Sequence, residues 1–185
     1  MNSGLIAARY AKAFLALVNN HGSADAVYAQ CRTILSSMGK LPKFRLAITD
    51  ARAVALEQKC ELLRAAVAPE VLCQELVSLL TLMQKNGRSE FYRLVLLDFI
   101  NLYRRERNIV MVQLTTADDS VGDVERIEKL VECKYGKKAV VRHKIDSSII
   151  GGFILESWGY RLDASVRRSL DELRKELARI NRRLV

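Results

Sequence analysis

Histidine is almost missing from this chain, and the usual signs of catalysis are missing with it. Only His21 and His143 occur, and neither has Cys, Asp or Glu nearby in sequence at metal-ligand spacing. No Gly-x-Ser-x-Gly nucleophile elbow appears, and the carboxylates form no distinctive pair. Cys31, Cys60, Cys73 and Cys133 are too far apart for a C-x-x-C motif. Three of them fall in apolar, helix-like segments, where a thiol behaves as a small hydrophobe. Reduced thiols in a cytosolic compartment are therefore expected. Proline is scarce as well: two prolines and nine glycines in 185 residues favour long helices over many short strands. No uncharged apolar run is long enough to cross a bilayer. The opening MNSGLIAARYAKAF places Arg9 and Lys12 inside what would be the apolar region of a secretory signal. These absences argue against an enzyme, a cofactor or metal protein, and a membrane span.

Apolar residues make up 50% of the chain, ample for a core, and the net charge is +9 with a pI near 9.6. Such a balance favours an acidic partner: nucleic acid, an anionic membrane surface or an acidic protein. The basic pairs Arg104-Arg105, Lys137-Lys138, Arg167-Arg168 and Arg182-Arg183 are scattered, as on ordinary solvated helix faces. A basic nucleic-acid-binding helical protein is the alternative reading. Against it, the segment with Tyr103, Arg104, Arg105 and Arg107 has no recognition-helix motif, and no aromatic ribonucleoprotein strand is present.

Periodicity predicts a mainly α chain in two parts: a six-helix bundle over residues 1–106, then a small α/β domain over 107–185 with a β-hairpin and a long last helix. The first helix starts at Ser3 or Gly4 and ends near Asn20. A second begins at Ser23, and a short third follows Pro42. Asp50 introduces the fourth, Pro69 sits in the first turn of the fifth, and Ser89 caps the sixth. Beyond it, Ile109 to Thr115 is β-branched and strand-length. A helix is expected from Ser120 to Tyr135, a strand from Ala139 to Ile145, and a hairpin around Trp158-Gly159.

The first helix carries unusual apolar surface. Ile6, Tyr10, Ala13 and Leu17 form one stripe, and Ala7, Ala11, Phe14 and Val18 form a second beside it. A surface helix ordinarily buries one stripe and solvates the rest. Two readings compete. The helix is either central and enclosed on all sides, or it buries one stripe and offers the other to a partner helix.

The stretch IIGGFILESWGYRLDASVRRSL poses a second question. Gly151-Gly152 precedes a strand and no Gly-Lys-Ser/Thr follows, so it is not a phosphate loop. Glycine here serves a bulge or a close backbone approach. Asp163 or Ser165 can cap the last helix. That helix repeats Val166, Leu170, Leu173, Leu177, Ile180 and Leu184 as a narrow heptad-type seam. The seam packs either on the chain's own small sheet or against another helical protein.

Three segments, ARYAKAFLALV, MQKNGR and IDSSIIGGFILESWGYRLDASVRRSLDELRKEL, resemble the delta subunit of bacterial F-type ATP synthase, a relative of the mitochondrial oligomycin-sensitivity-conferring subunit. The likeness runs in order along essentially the whole chain. It departs at Asp163-Ala164-Ser165, where the family commonly reads Asp-Gly-Ser, and at Trp158-Gly159-Tyr160, where it reads Gly-Asp. It departs again at Thr116-Ala117-Asp118-Asp119, where the family has Ser-Ala and a nearby proline. The resemblance implies a non-catalytic stator part, without cofactor, peripheral on the cytoplasmic face of the bacterial inner membrane. It would be one copy within a hetero-oligomer, neither binding nucleic acid nor inserting into the membrane. The helical part would bind the N-terminal helix of an alpha subunit in a groove between helices one and five. The residues implied are Ile6, Tyr10, Ala13 and Leu17 on the first helix and Leu76, Leu79 and Leu80 on the fifth. The second part would hold the b subunits of the peripheral stalk through Gly151, Gly152, Phe153, Asp163, Ser165, Val166, Leu170 and Leu173.

Overall fold

A computed structural model describes residues 3–50, 54–118, 128–129, 132–133, 136, 138–157 and 159–184. The chain divides into two compact units, Met1–Glu106 and Arg107–Val185.

The first unit is helical: α1 (Ser3–His21), α2 (Ala24–Lys40), α3 (Pro42–Thr49), α4 (Leu56–Val67), α5 (Gln74–Lys85) and α6 (Tyr92–Glu106). Its centre is the packing of α1 on α6. Ala7, Ala11, Phe14 and Val18 are buried on one side of α1. The two alanines let the α6 backbone come near, and Phe14 meets Phe99 with ring centroids 4.9 Å apart. Burying Phe14 and Val18 contributes ~1.5–3 kcal/mol each. α6 answers with Val95, Leu96, Phe99, Ile100 and Tyr103, all buried.

Three sequence expectations need correction in this unit. The helical part is not a plain six-helix bundle: α3 has only eight residues, and a separate 3-10 turn, Ser89–Phe91, leads into α6. Across the described residues there are seven α-helices, with a small four-stranded sheet. Secondly, Asp50 ends α3 instead of starting α4. Its N–H donates to the Leu46 carbonyl, and its own carbonyl accepts from the Lys59 ammonium at 2.6 Å. Lys59 is fully buried. Burial pushes its pKa down, and the nearby Asp50 carboxylate works against that shift.

Thirdly, Pro69 lies in the connection before α5, not in its first turn. The cause is Gln30, buried on α2. Its amide donates to the Val71 carbonyl at 2.7 Å and accepts from the Cys73 N–H at 2.9 Å. Residues 71 to 73 are thereby held extended against α2, and α5 begins at Gln74.

The second unit contains β1 (Ile109–Thr116), β2 (Lys138–Ile145), β3 (Gly152–Ser157), β4 (Tyr160–Ser165) and the last helix, α7 (Val166–Leu184). The sheet order is β2-β1-β3-β4, with β1 and β2 parallel and the other pairs antiparallel. Val110, Val112 and Leu114 alternate onto one face of β1. There Val112, Leu114 and Ala139 are buried, with Val141, Phe153 and Leu155 packed against them. Most of the helix expected between Ser120 and Tyr135 lies outside the described residues, as does Trp158; residues 128, 129, 132 and 133 are helical.

The glycine pair closes this unit. Gly152 has φ +73°, and a Cβ there would lie 2.2 Å from the Ala164 carbonyl oxygen. Close backbone approach across the β3–β4 hairpin is therefore the reason for glycine. The Gly151 carbonyl then accepts from the Val166 N–H at 3.0 Å, joining the start of β3 to the start of α7. Ser165 is the cap of α7: its Oγ accepts from the Arg168 N–H at 3.2 Å. Asp163 orients that serine, accepting from its N–H at 3.1 Å and its hydroxyl at 2.7 Å. These bonds hold the Asp163 carboxyl below its ordinary pKa.

The close approach makes a stability prediction. Gly152→Ala should destabilise the chain by at least about 2 kcal/mol, because both the positive φ and the carbonyl clash oppose a side chain. Gly39→Ala, in α2 with open space around its added Cβ, should instead stabilise by about 0.5–1 kcal/mol. Urea denaturation followed by circular dichroism measures both.

Candidate functional site

α1 is not enclosed on all sides. Beside the buried Ala7–Val18 stripe, Ile6 and Tyr10 are half-buried, Ala13 is exposed, and Leu17 is 39% exposed. Of the two readings of this helix, enclosure on all sides is therefore excluded.

α5 runs antiparallel beside it, pinned at two points. Near the start of α5, Glu75 Oε1 accepts from the Ser23 hydroxyl at 2.7 Å and lies 3.2 Å from His21 Nδ1. Past its end, Asn86 Nδ2 donates to the Tyr10 hydroxyl at 2.9 Å. From Tyr10 to His21 and from Glu75 to Asn86 the chain advances by eleven residues each way, roughly 16 Å of helix. The two helices are thus in register along a shared edge.

The α5 residues named from the resemblance are not on that open edge. Leu76, Leu79 and Leu80 are 0%, 5% and 0% exposed and belong to the core. Leu82, 49% exposed, is the apolar residue that α5 leaves uncovered. It was missed because it stands in the same leucine-rich run. The signal was its spacing: Leu82 stands seven residues after Glu75 and four before Asn86, on the side of α5 whose two ends touch α1.

The Glu75 end is electrostatically settled. The Ser23 hydroxyl bond is the main influence holding the Glu75 carboxyl below its usual range; its backbone bond and His21 assist, and burial opposes. A depressed folded pKa stabilises the protein above the ordinary carboxyl range. That contribution disappears as pH falls through the folded value.

In the second unit the residues named for stalk binding divide in two. Gly151, Gly152, Asp163 and Ser165 build the hairpin and the cap, and Phe153 packs on the sheet core. Val166, Leu170 and Leu173 do face outward, 41%, 42% and 55% exposed, continued by Leu177 at 63%. The described part of the heptad-type seam is thus open. Its charged neighbours pair along the helix, Arg168 with Glu172 at 2.8 Å and Arg174 with Asp171 at 3.8 Å. Such exposed pairs add little to stability. Among the described residues no cluster of His, Cys, Asp and Glu could hold a metal, and no helix is long and apolar enough to cross a membrane.

The described residues thus leave two open apolar helix faces, one in each unit. The family model for the ATP synthase delta (OSCP) subunit matches residues 6–177. The chain belongs to this family. ATP synthase subunit delta of Phocaeicola vulgatus is 33% identical over 186 residues, covering 100% of both chains. That of Bacteroides thetaiotaomicron is 30% identical over 187 residues, again covering 100% of both. A chain in a cryo-EM structure of the Toxoplasma gondii mitochondrial ATP synthase hexamer superposes with a TM-score of 0.62. It covers 96% of this chain and 98% of that one at 24% identity, a likeness of fold. Family membership makes this chain a structural subunit of the F-type ATP synthase peripheral stalk, not itself catalytic, and peripheral to a membrane-bound complex. The nucleic-acid alternative finds no support among these relatives.

The Ser23–Glu75 bond yields a pH-dependent prediction. Ser23→Ala should cost about 1–2 kcal/mol at neutral pH. The difference from the parent should shrink as pH falls below the ordinary carboxyl range and through the depressed Glu75 value. Urea midpoints across an acid-to-neutral series measure it; a difference constant with pH would separate Ser23 from the Glu75 charge.

Proposed function

We propose that this subunit ties the catalytic head to the peripheral stalk through its two open faces. The Ile6–Tyr10–Ala13–Leu17 stripe of α1, bordered by Leu82 of α5, takes the N-terminal helix of an alpha subunit. The seam of α7, set in place by the Gly151-Gly152 hairpin and the Ser165 cap, takes the ends of the b subunits. The complex lies on the cytoplasmic face of the bacterial inner membrane, with one copy of this chain in the hetero-oligomer.

The role is mechanical. Rotation of a central shaft puts torque on the head, and a head free to turn with the shaft would not couple proton flow to ATP synthesis. A tether needs affinity and stiffness, not a proton-transfer residue. Two faces on one chain also make detachment rarer than either affinity alone implies, because a released contact rebinds at high effective concentration.

One observation carries this reading: α1 buries one apolar stripe and leaves the neighbouring one, of similar length, only partly covered. Each anchor fully desolvated by a partner would contribute ~1.5–3 kcal/mol before ordering costs.

The test is a calorimetric titration of the full chain with a synthetic peptide of the alpha-subunit N-terminus from the same organism. Leu17→Asp and Ala13→Trp alter exposed positions, so circular dichroism should be unchanged, while affinity should fall at least about tenfold. Equal affinity in folded variants would take α1 out of the interface.

A further inference from the structure

We propose that Arg88, held on Tyr10, is a receptor for a carboxylate of the docked helix and so fixes which way round that helix lies. The proposal rests on the alpha-subunit reading above and names the chemistry of one end of its groove.

The Tyr10 hydroxyl oxygen accepts two hydrogen bonds, from Asn86 Nδ2 at 2.9 Å and from Arg88 Nη1 at 3.2 Å. The guanidinium carbon also sits 5.8 Å from the Tyr10 ring centroid. A phenol oxygen accepting from two donors has its own O–H left to give. Among the described residues, Arg88 likewise spends one N–H on Tyr10 and keeps the rest. Two adjacent groups therefore present donors, and among the described residues neither donates to a carboxylate. Glu90, two residues along, makes no ion pair with Arg88.

The cation is half-buried and held on Tyr10, unlike the exposed Arg167, Arg168, Arg174 and Arg179 of α7. Planar N–H forks match the two oxygens of a carboxylate, and a pre-set fork loses less freedom on pairing.

The rest of the groove sharpens the direction. α1 has no acidic residue and carries Arg9 and Lys12; α5 ends in Lys85. The carboxylate of α5, Glu75, lies at the far end and is engaged by Ser23 and His21. Among the described residues, one end of the groove is thus cationic with donors unused, and the other holds a satisfied anion. The complementary occupant is an amphipathic helix whose apolar side covers Leu17 and Leu82 and whose acidic side chain reaches Tyr10 and Arg88.

The test titrates the full chain with the alpha-subunit N-terminal peptide, changing the peptide's Asp and Glu residues one at a time to Asn and Gln. One such change should weaken binding about tenfold, and the others should have little effect. Arg88→Gln should cause the same loss, with no further loss when the two changes are combined. Arg88→Lys should recover only part of the affinity, and added salt should weaken the parent more than Arg88→Gln. If every peptide carboxylate is dispensable on the unaltered chain, or if the segment has none, the proposal is overturned whether or not any Arg88 variant folds. If Leu17→Asp abolishes binding while Arg88→Gln does not, the carboxylate pairing falls and the docking reading stands. If the unaltered chain does not bind the peptide, the docking reading falls and takes the pairing with it.

Discussion

Helix α1 has more apolar surface than its own unit encloses, and the rest of the first unit is arranged around that excess. The inward stripe is fixed by small residues: Ala7 and Ala11 bring α6 close, and Phe14 against Phe99 fills the remaining depth. A helix of this pitch cannot turn its neighbouring stripe inward without turning Phe14 and Val18 out. The outward stripe is therefore a fixed consequence of the core. The polar bonds at either end, Glu75 with Ser23 and His21, Asn86 with Tyr10, hold α5 beside it in register. They set the edge of the groove without filling it.

The second unit meets a different constraint with a similar result. Its small sheet is completed by backbone contacts so close that Gly152 cannot carry a side chain. The same corner starts α7, through the Gly151 carbonyl, the Ser165 cap and the Asp163 that orients it. Because the start of α7 is fixed in this way, the seam from Val166 to Leu177 need not pack on the sheet to have a defined origin. Its described residues stay exposed. The far edge of the sheet, β2, carries Lys138, Arg142 and Lys144, charges of the sort that discourage edge-to-edge association.

Much of this was legible in the sequence, and the failures have physical causes. Periodicity located the helices because each carries an apolar stripe. The change to β-branched residues at Ile109 marked the sheet, and the glycine pair marked the close approach. The beginnings of α4 and α5 were not legible. Asp50 and Pro69 both look like helix starters locally, but Lys59 and Gln30, distant or folded back from them, decide where those helices begin. The inward face of α5 was misread for a related reason. Leucines at 76, 79, 80 and 82 look alike in sequence, and only the neighbour across the row separates the buried three from Leu82. The α1 stripe was read better because its two halves differ: the inward one is built around alanines and Phe14, the outward one includes Tyr10, whose hydroxyl needs polar company. The Arg88 contact with Tyr10 spans 78 residues and no local pattern announces it.

A single chain with an open apolar face on each of its two units can join two bodies without any chemistry of its own. That view stands on the outward stripe of α1 being free in the isolated subunit and covered in the assembled synthase. Hydroxyl-radical footprinting of Ile6, Tyr10 and Leu17 in the two states measures this directly. The account predicts ready oxidation of these three in the isolated chain and strong protection in the intact complex, with Ala7-side residues such as Phe14 and Val18 protected in both. Equal oxidation of Leu17 in the isolated chain and in the assembled synthase would contradict it.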